Sequence, residues 1–165
     1  MNIWPHQSDV DEFYGNPRGP NGEASPKWEQ ENLTLISPPW NLVTAWDFRP
    51  VRSIRVHKKC AKSLEKVFAS IWESAGRNED RIQDWGMHLF AGAYNYRLMR
   101  RGTRLSMHSW GCAVDFDSAR NAFGDRTPNF ALIPQVLEAF ANESWTWGGK
   151  WRTVDGMHWQ AANAQ

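Results

Sequence analysis

Residues 106–117 read SMHSWGCAVDFD, and this stretch decides both the fold and the chemistry that the chain is expected to have. It places one histidine and two aspartates around a glycine and a short apolar run, although hydrophobic burial alone favours none of the three. The alternation in AVDFD predicts a strand with Asp115 and Asp117 on one face. Val114 and Phe116 would lie on the opposite, apolar face.

A metal site explains this pattern better than a helix does. A helix would separate His108 from Asp115 by about 10 Å along its axis, which is too far for two ligands of one ion. Gly111 and the β-branched Val114 also argue against a helix. A turn at Gly111 that enters a strand can bring Asp115 back beside His108. The stretch therefore predicts two arms of a metal site, and Asp117 stays open as the alternative to Asp115.

A catalytic zinc ion takes three protein ligands and a water molecule, so a third ligand is required. The remaining candidates are His6, His57, His88, His158 and Cys112. His158 is favoured because the motif DGMHW supplies an imidazole for the metal and, in Asp155, a carboxylate for general acid–base catalysis. The other histidines are more often packing or surface residues, and a cysteine between two small residues more often fills a buried space.

Composition limits the classes of function. The chain has 165 residues, which suits a single domain spanning 1–165, and 19 Lys+Arg against 18 Asp+Glu leave no global field that would attract nucleic acid. No stretch approaches 18 apolar residues and the first residues lack a signal-peptide pattern, so we expect neither a membrane span nor secretion. Nothing indicates assembly beyond a monomer. Cys60 and Cys112 are expected to be free, buried thiols.

The order of patterns along the chain predicts the fold class. Residues 1–50 are rich in Pro, Gly and Asn, which predicts an irregular wrapping segment. Apolar spacing predicts a long helix over 57–76 and a shorter one over 134–142. Strands are predicted within 85–96, in AVDFD, and at both ends of the stretch 144–160. Together these elements predict an α+β fold with a small, mostly antiparallel sheet flanked by helices.

The two motifs together resemble those of a known family. SMHSWGCAVD matches S-x-H-x-x-G-x-A-x-D, and DGMHW matches (D/E)-x-x-H-(W/F), of the zinc D-alanyl-D-alanine carboxypeptidase and L-alanyl-D-glutamate endopeptidase family. The flanking stretches YGNP, VHKK, AGAYNYR and WTWGGKW are similar to those of short phage endolysins of this family. The resemblance implies the small antiparallel-sheet α+β fold that the family shares with the Hedgehog signalling domain.

The resemblance also implies a role for individual residues. One Zn²⁺ per chain would be held by His108, Asp115 and His158, which selects the first of the two aspartates. Asp155 matches the catalytic acidic residue, and Arg97, in YNYR, matches the arginine that steadies the substrate carbonyl. Three further residues are implied as substrate contacts or as supports behind the ligands: Ser106, Trp147 and Gly148.

The implied activity is metal-assisted hydrolysis of an amide bond in the stem peptide of bacterial peptidoglycan. We expect an L-alanyl-D-glutamate endopeptidase of the phage endolysin type first and a D-alanyl-D-alanine carboxypeptidase second. Such an endolysin is made in the host cytoplasm and acts on the cell wall after release, here without a separate wall-binding domain. The alternative outside the enzymes is a zinc-stabilised wall-binding module, which is disfavoured because a structural site has no need for Asp155.

Overall fold

The computed structural model describes residues 3–164, which form an α+β fold with a six-stranded sheet and a two-stranded ribbon. This confirms the predicted fold class. The α-helices are α1 (Val10–Tyr14), α2 (Pro26–Asn32), α3 (Lys58–Ser74), α4 (Glu79–Trp85) and α5 (Pro134–Asn142). The strands are β1 (Leu33–Ile36), β2 (Leu42–Thr44), β3 (Pro50–Val51), β4 (Ile54–His57), β5 (Leu89–Gly92), β6 (Ala113–Phe116), β7 (Thr146–Trp147) and β8 (His158–Gln160).

The main sheet has the strand order β3-β2-β5-β6-β8-β7, and every pair in it is antiparallel except β2 with β5. In the pair β6–β8, Asp115 lies opposite His158, and Val114 lies opposite Trp159. Residues that lie opposite each other in an antiparallel pair share a face of the sheet. The centre of the sheet therefore has one polar face and one apolar face.

Helices α3 and α5 cover the apolar face. Phe68 of α3 meets Phe116 of β6 edge to face, with 6.1 Å between ring centroids. Phe140 of α5 stacks on Trp159 of β8 at 4.4 Å, and all four rings are buried. Burial of each phenylalanine contributes about 1.5–3 kcal/mol. These contacts fix the two helices on one side of the sheet and leave the other side for the polar residues.

Both predicted helices are present. The helix predicted from His57 to Gly76 is α3, which begins after His57, and the ring of His57 accepts a hydrogen bond from the backbone N–H of Lys59. Gly76 follows the last turn with a φ of +66°, a conformation that glycine adopts without strain. The helix predicted from Pro134 to Asn142 coincides with α5.

Residues 3–50, the described part of the segment 1–50, are more regular than the irregular segment that was predicted; residues 1 and 2 lie outside the described residues. They contain α1, α2, β1, β2 and a short 3-10 helix, Gln7–Asp9. Ser25 caps α2 by accepting a hydrogen bond from the backbone N–H of Trp28. Helices this short are marginal alone and depend on tertiary packing, here the burial of Tyr14 and Trp28 in the core. Composition did not reveal that packing.

The strand predicted within 85–96 is shorter than expected. Trp85 is the last residue of α4, which ends at Gly86 in the left-handed conformation with φ +79°. Only the four residues of β5 are extended, and they are half-buried. The side chain of Asn78 accepts hydrogen bonds from two N–H groups in the first turn of α4, so Asn78 is the N-cap that begins a helix not predicted from the sequence.

Neither a disulfide bond nor a membrane-spanning helix occurs within residues 3–164. Cys60 and Cys112 are buried free thiols, as predicted. Burial raises the pKa of Cys60 to about 12, so this thiol stays protonated at neutral pH. None of the helices in the described part of the chain combines the length and apolarity that crossing a membrane requires.

Candidate metal centre

His108 is presented by a single 3-10 turn that leads into β6. The hydroxyl oxygen of Ser106 caps this turn by accepting a hydrogen bond from the backbone N–H of His108 at 3.3 Å. Gly111 ends the turn with φ +69°, and a Cβ there would lie 2.8 Å from a backbone nitrogen at the end of β4. Only glycine meets both conditions. The turn at Gly111 brings Asp115 back beside His108.

Three side chains converge on the polar face of the sheet. Asp115 Oδ2 lies 3.1 Å from His108 Nε2, and Asp115 Oδ1 lies 2.9 Å from His158 Nδ1. The three candidate ligand atoms lie within 4.8 Å of one another, and none of the three side chains is more than 12% exposed. The structure thus brings together the three residues that the resemblance implies as ligands.

Each imidazole has one nitrogen held by the protein and one directed at the cluster. Nδ1 of His108 donates a hydrogen bond to the carbonyl oxygen of Ala93 at 2.7 Å. Nε2 of His158 donates to Oε1 of Gln160 at 2.8 Å. Because Nδ1 of His108 carries the proton, Nε2 of His108 has a free lone pair for a metal ion. Nδ1 of His158 lies 2.9 Å from Asp115 Oδ1 and presents a lone pair to a metal ion when it gives up the proton of that hydrogen bond.

The donor set fits a zinc ion. His108 Nε2 is buried and makes no hydrogen bond with any residue of 3–164, since Asp115 Oδ2 is close but does not form one. Leaving a buried polar atom unsatisfied costs about 1–3 kcal/mol, and a metal ion bound to this nitrogen would remove that cost. Two imidazole nitrogens and one carboxylate oxygen form a donor set that catalytic Zn²⁺ takes, with a further position for water.

Electrostatics keeps the Asp115 carboxylate charged. Burial alone raises the pKa of Asp115, but the electrostatic interactions of this carboxylate with His108 and His158 outweigh burial and hold that pKa well below its usual range. Burial lowers the pKa of His158, but the hydrogen bond with Asp115 and the charge of that carboxylate have the larger, opposite effect. The pKa of His158 is therefore raised above its usual value. Because protons compete with a metal for Nδ1 of His158, metal binding weakens as pH falls.

Asp155 lies in the loop between β7 and β8 and faces the same site. It lines a cavity of about 280 Å³ whose walls also include His108, His158, Arg97 and Ser106. Asp155 does not belong to the cluster of candidate ligands within the described residues. Burial raises the pKa of Asp155, and the electrostatic interaction with His158 is the main opposing effect. A carboxylate beside the ligands but outside the donor set is placed to accept and return a proton.

Trp147 and Gly148 lie behind the Asp155 loop and do not line that cavity. The carbonyl oxygen of Gly148 accepts the backbone N–H of Asp155 at 2.9 Å, and a Cβ on Gly148 would lie 2.5 Å from the carbonyl oxygen of Asp155. Nε1 of Trp147 donates to the carbonyl oxygen of Gly156 at 2.8 Å. The structure therefore places both residues as supports of the loop, which is one of the two roles that the resemblance implies.

Asp117 does not share the face of Asp115, so the prediction from alternation is wrong at this position. β6 ends at Phe116, and Asp117 has a φ of +48°, which turns its side chain away from the cluster. Its Oδ2 accepts a hydrogen bond from Nε of Arg120 at 2.7 Å in a buried position over Gly86. Asp117 is an internal partner of an arginine, and this removes it as the alternative ligand.

The remaining sequence candidates lie outside the cluster. His6 is exposed and bonds to Ser8, and the buried His57 bonds to the carbonyl oxygen of Tyr14. His88 is half-buried near Asp117, and Cys112 is a buried thiol. None of these four competes with His158 as the third ligand.

Gln160, which was not among the residues predicted from the sequence, holds His158 through a hydrogen bond on the side away from the cluster. Its side chain is buried, and besides accepting from His158 it donates through Nε2 to Oε1 of Gln7 at 2.6 Å and to the carbonyl oxygen of Ala162 at 3.1 Å. In HWQ the glutamine is two residues from the ligand on a strand, so it shares the ligand's face. That spacing is the signal that could have found it. Through Gln7, the metal centre is tied to the N-terminal segment.

Residues 100–161 match the family model described as D-alanyl-D-alanine carboxypeptidase. The matched segment contains the three clustered side chains and Asp155, but not Arg97, and it covers less than half of the chain. Searches among curated proteins and among solved structures gave no match. The family match supports the peptidase family that the two motifs resemble.

Proposed function

We propose that this protein is a metal-dependent peptidase that hydrolyses an amide bond in the stem peptide of bacterial peptidoglycan. One observation carries the proposal: His108, Asp115 and His158 form a metal-ligand cluster with Asp155 beside it in one cavity. The match of this segment to a carboxypeptidase family model supports the same conclusion. A purely structural metal site has no use for the additional acid, whereas hydrolysis requires one.

Different residues of the cavity have different roles in the proposed hydrolysis. Zn²⁺ held by the three ligands would polarise the scissile carbonyl and activate water. Asp155 accepts a proton from the attacking water and returns it to the leaving nitrogen, so that the C–N bond breaks and a carboxylate and an amine result. Arg97 donates to the carbonyl oxygen as that oxygen gains negative charge, a contribution of about 3–4 kcal/mol for a well-placed donor.

We rank an L-alanyl-D-glutamate endopeptidase of the phage endolysin type ahead of a D-alanyl-D-alanine carboxypeptidase. A second cavity of about 580 Å³ shares His108 with the first and extends along β5, with Ala91 and Gly92 in its wall. Room on both sides of the ligands suits a substrate that continues in both directions, as an endopeptidase requires. The description of the matched family favours the carboxypeptidase, so the experiment must separate the two.

An endolysin-type activity also implies where the protein is made and where it acts. It would be made in the host cytoplasm and act as a monomer on the cell wall after release. Its partner is peptidoglycan, and the nearly balanced charge gives no support for nucleic acid as a partner.

Mass spectrometry of muropeptides released from purified peptidoglycan tests the proposal. The samples are the wild type, the wild type with a chelator, Asp155→Asn, and a control, Asp84→Asn, which changes an exposed aspartate on α4. New N-terminal D-Glu ends in the wild type and control alone support the endopeptidase, whereas loss of a terminal D-Ala moves the assignment to the carboxypeptidase. If the metal-loaded wild type releases neither product, the proposal of a peptidase is wrong and a non-catalytic wall-binding module becomes the favoured function.

A further inference from the structure

Two arginines lie in the walls of both cavities around the ligand cluster, and only one of them has a role so far. Arg97 is assigned to the carbonyl oxygen, while Arg100 takes no part in the mechanism above. The guanidinium carbon of Arg100 lies 4.9 Å from the ring centroid of Phe123, which lines the same cavity as Asp155. A cation–π contact of this kind gives a guanidinium group a defined position. Arg100 is therefore positioned in the wall of the cavity that Asp155 lines.

Arg100 has no anionic partner in the described part of the chain, where none of the ion pairs includes it. Its charge acts across the cavity instead. Burial raises the pKa of Asp155, and Arg100 is one of the positive charges that oppose the rise. Arg100 and the neighbouring Arg101 are both exposed, but Arg101 lines neither cavity. A guanidinium group that faces a cavity without a partner suits an anionic group on a ligand.

The proposed reaction provides such a group, and the inference rests on that proposed function. Asp155 lines the first cavity and not the second, so the amine that it protonates leaves on the side where Arg100 lies over Phe123. In D-alanyl-D-alanine, the carbon next to the leaving nitrogen carries a carboxylate. The same holds for L-alanyl-D-glutamate when the D-glutamate continues through its γ-carboxyl group. Both candidate bonds thus place a negative charge next to the leaving nitrogen.

We propose that Arg100, positioned by Phe123, binds this α-carboxylate and so selects substrates whose leaving amine carries one. A guanidinium group can donate two parallel hydrogen bonds to a carboxylate, which an ammonium group cannot match. A substrate in which the same carboxyl group is amidated loses the charge and is bound more weakly. The subsite is therefore a specificity determinant for either of the two candidate bonds.

Pairs of synthetic stem peptides that differ only in this group, carboxylate or carboxamide, test the inference. The zinc-loaded wild type should show a KM roughly 10- to 100-fold higher for the carboxamide, the range expected when a charged hydrogen-bond partner is lost. Arg100→Gln should raise KM for the carboxylate peptide to the carboxamide level, with kcat little changed. Arg100→Lys should recover part of the preference, and the control Arg101→Gln should retain all of it.

Phe123→Leu provides a second variant that keeps an apolar side chain and removes the ring. It should raise KM for the carboxylate peptide by a smaller factor, roughly 2- to 5-fold, because the cation–π contact is worth less than the ion pair. Thermal unfolding shows whether each variant is folded. Retention of the full preference by a folded Arg100→Gln, or equal KM values for both peptides in the wild type, overturns the inference and leaves the peptidase proposal intact.

Failure of the proposed function gives a different result, because neither peptide is then cut by the zinc-loaded wild type. In that case, calorimetry of peptide binding tests whether Arg100 binds the carboxylate. Tighter binding of the carboxylate form by the wild type than by Arg100→Gln supports the subsite, and equal binding by the two proteins overturns it.

Discussion

Two buried histidines, His57 and His108, differ in how many of their ring nitrogens the protein uses. His57 donates from Nε2 to the carbonyl oxygen of Tyr14 at 2.9 Å and accepts at Nδ1 from the backbone N–H of Lys59 at 3.0 Å. His108 donates only from Nδ1, and its Nε2 has no hydrogen-bond partner among the described residues. Buried polar atoms are nearly always satisfied. Burial alone therefore does not distinguish a candidate metal ligand from a structural histidine; at His108 the distinction comes from an unsatisfied nitrogen that faces Asp115.

The largest effect is expected from replacing the two histidines in turn. His108→Gln should abolish tight zinc binding and peptide cleavage, because two remaining protein ligands do not hold a catalytic zinc ion. His57→Gln should keep one zinc ion per chain, although it is less stable. Metal analysis after dialysis measures the difference. Equal loss of zinc from both variants, with both folded, contradicts the distinction between the two sites.

The next largest effect is expected at the acid beside the ligands. Asp155→Asn should lower kcat by about 10²- to 10⁴-fold, the usual contribution of a general acid–base group. Zinc content should stay at that of the wild type, because Asp155 lies outside the ligand cluster of the described residues. Single-turnover kinetics and metal analysis on the same samples measure both quantities. Loss of zinc from Asp155→Asn shows instead that this carboxylate is a ligand.

A smaller effect is expected from the residue that orients His158. Gln160→Ala should weaken zinc binding by about 10- to 100-fold, as found when a hydrogen-bond partner of a metal-bound histidine is removed. Competition with a chromophoric chelator measures the affinity, and Gln83→Ala, an exposed change on α4, is the matched control. NMR of the zinc-loaded protein should show that the Nε2 proton of His158 exchanges faster in Gln160→Ala. Unchanged affinity and unchanged exchange contradict the positioning role.

The smallest effect concerns the pH dependence of stability at His57. Burial lowers the pKa of His57 to about 4 in the folded chain, against about 6.5 when unfolded. Between these values the unfolded chain takes up a proton that the folded chain does not, so stability falls as pH falls. The contribution is about 1 kcal/mol between pH 7 and pH 5.5.

Urea unfolding of metal-free wild type and His57→Gln at both pH values measures this term. The metal ligands contribute equally to both proteins. The difference between the two proteins in the change of unfolding free energy from pH 7 to pH 5.5 therefore gives the contribution of His57. The variant should lose less unfolding free energy on acidification. An identical pH dependence for the two proteins shows instead that the pKa of His57 is the same in the folded and unfolded chains.

Local patterns were sufficient for much of the fold. The 3.6-residue period predicted α3 and α5 because each buries one continuous stripe against the sheet. The two-residue period predicted β6 but failed at Asp117, whose positive φ ends the strand. That conformation accompanies an ion pair with Arg120 and packing over Gly86, which alternation does not encode.

By itself, the sequence determined the donor types and the spacing of the two motifs, because His108, Asp115, Asp155 and His158 lie within short segments. Only the tertiary structure decided which nitrogen of each imidazole faces the cluster. The orientation of His108 depends on Ala93, which is 15 positions away. Gln160, which orients His158, is itself held by Gln7, which is 153 positions away. Chain folding, and not local periodicity, brings such partners together.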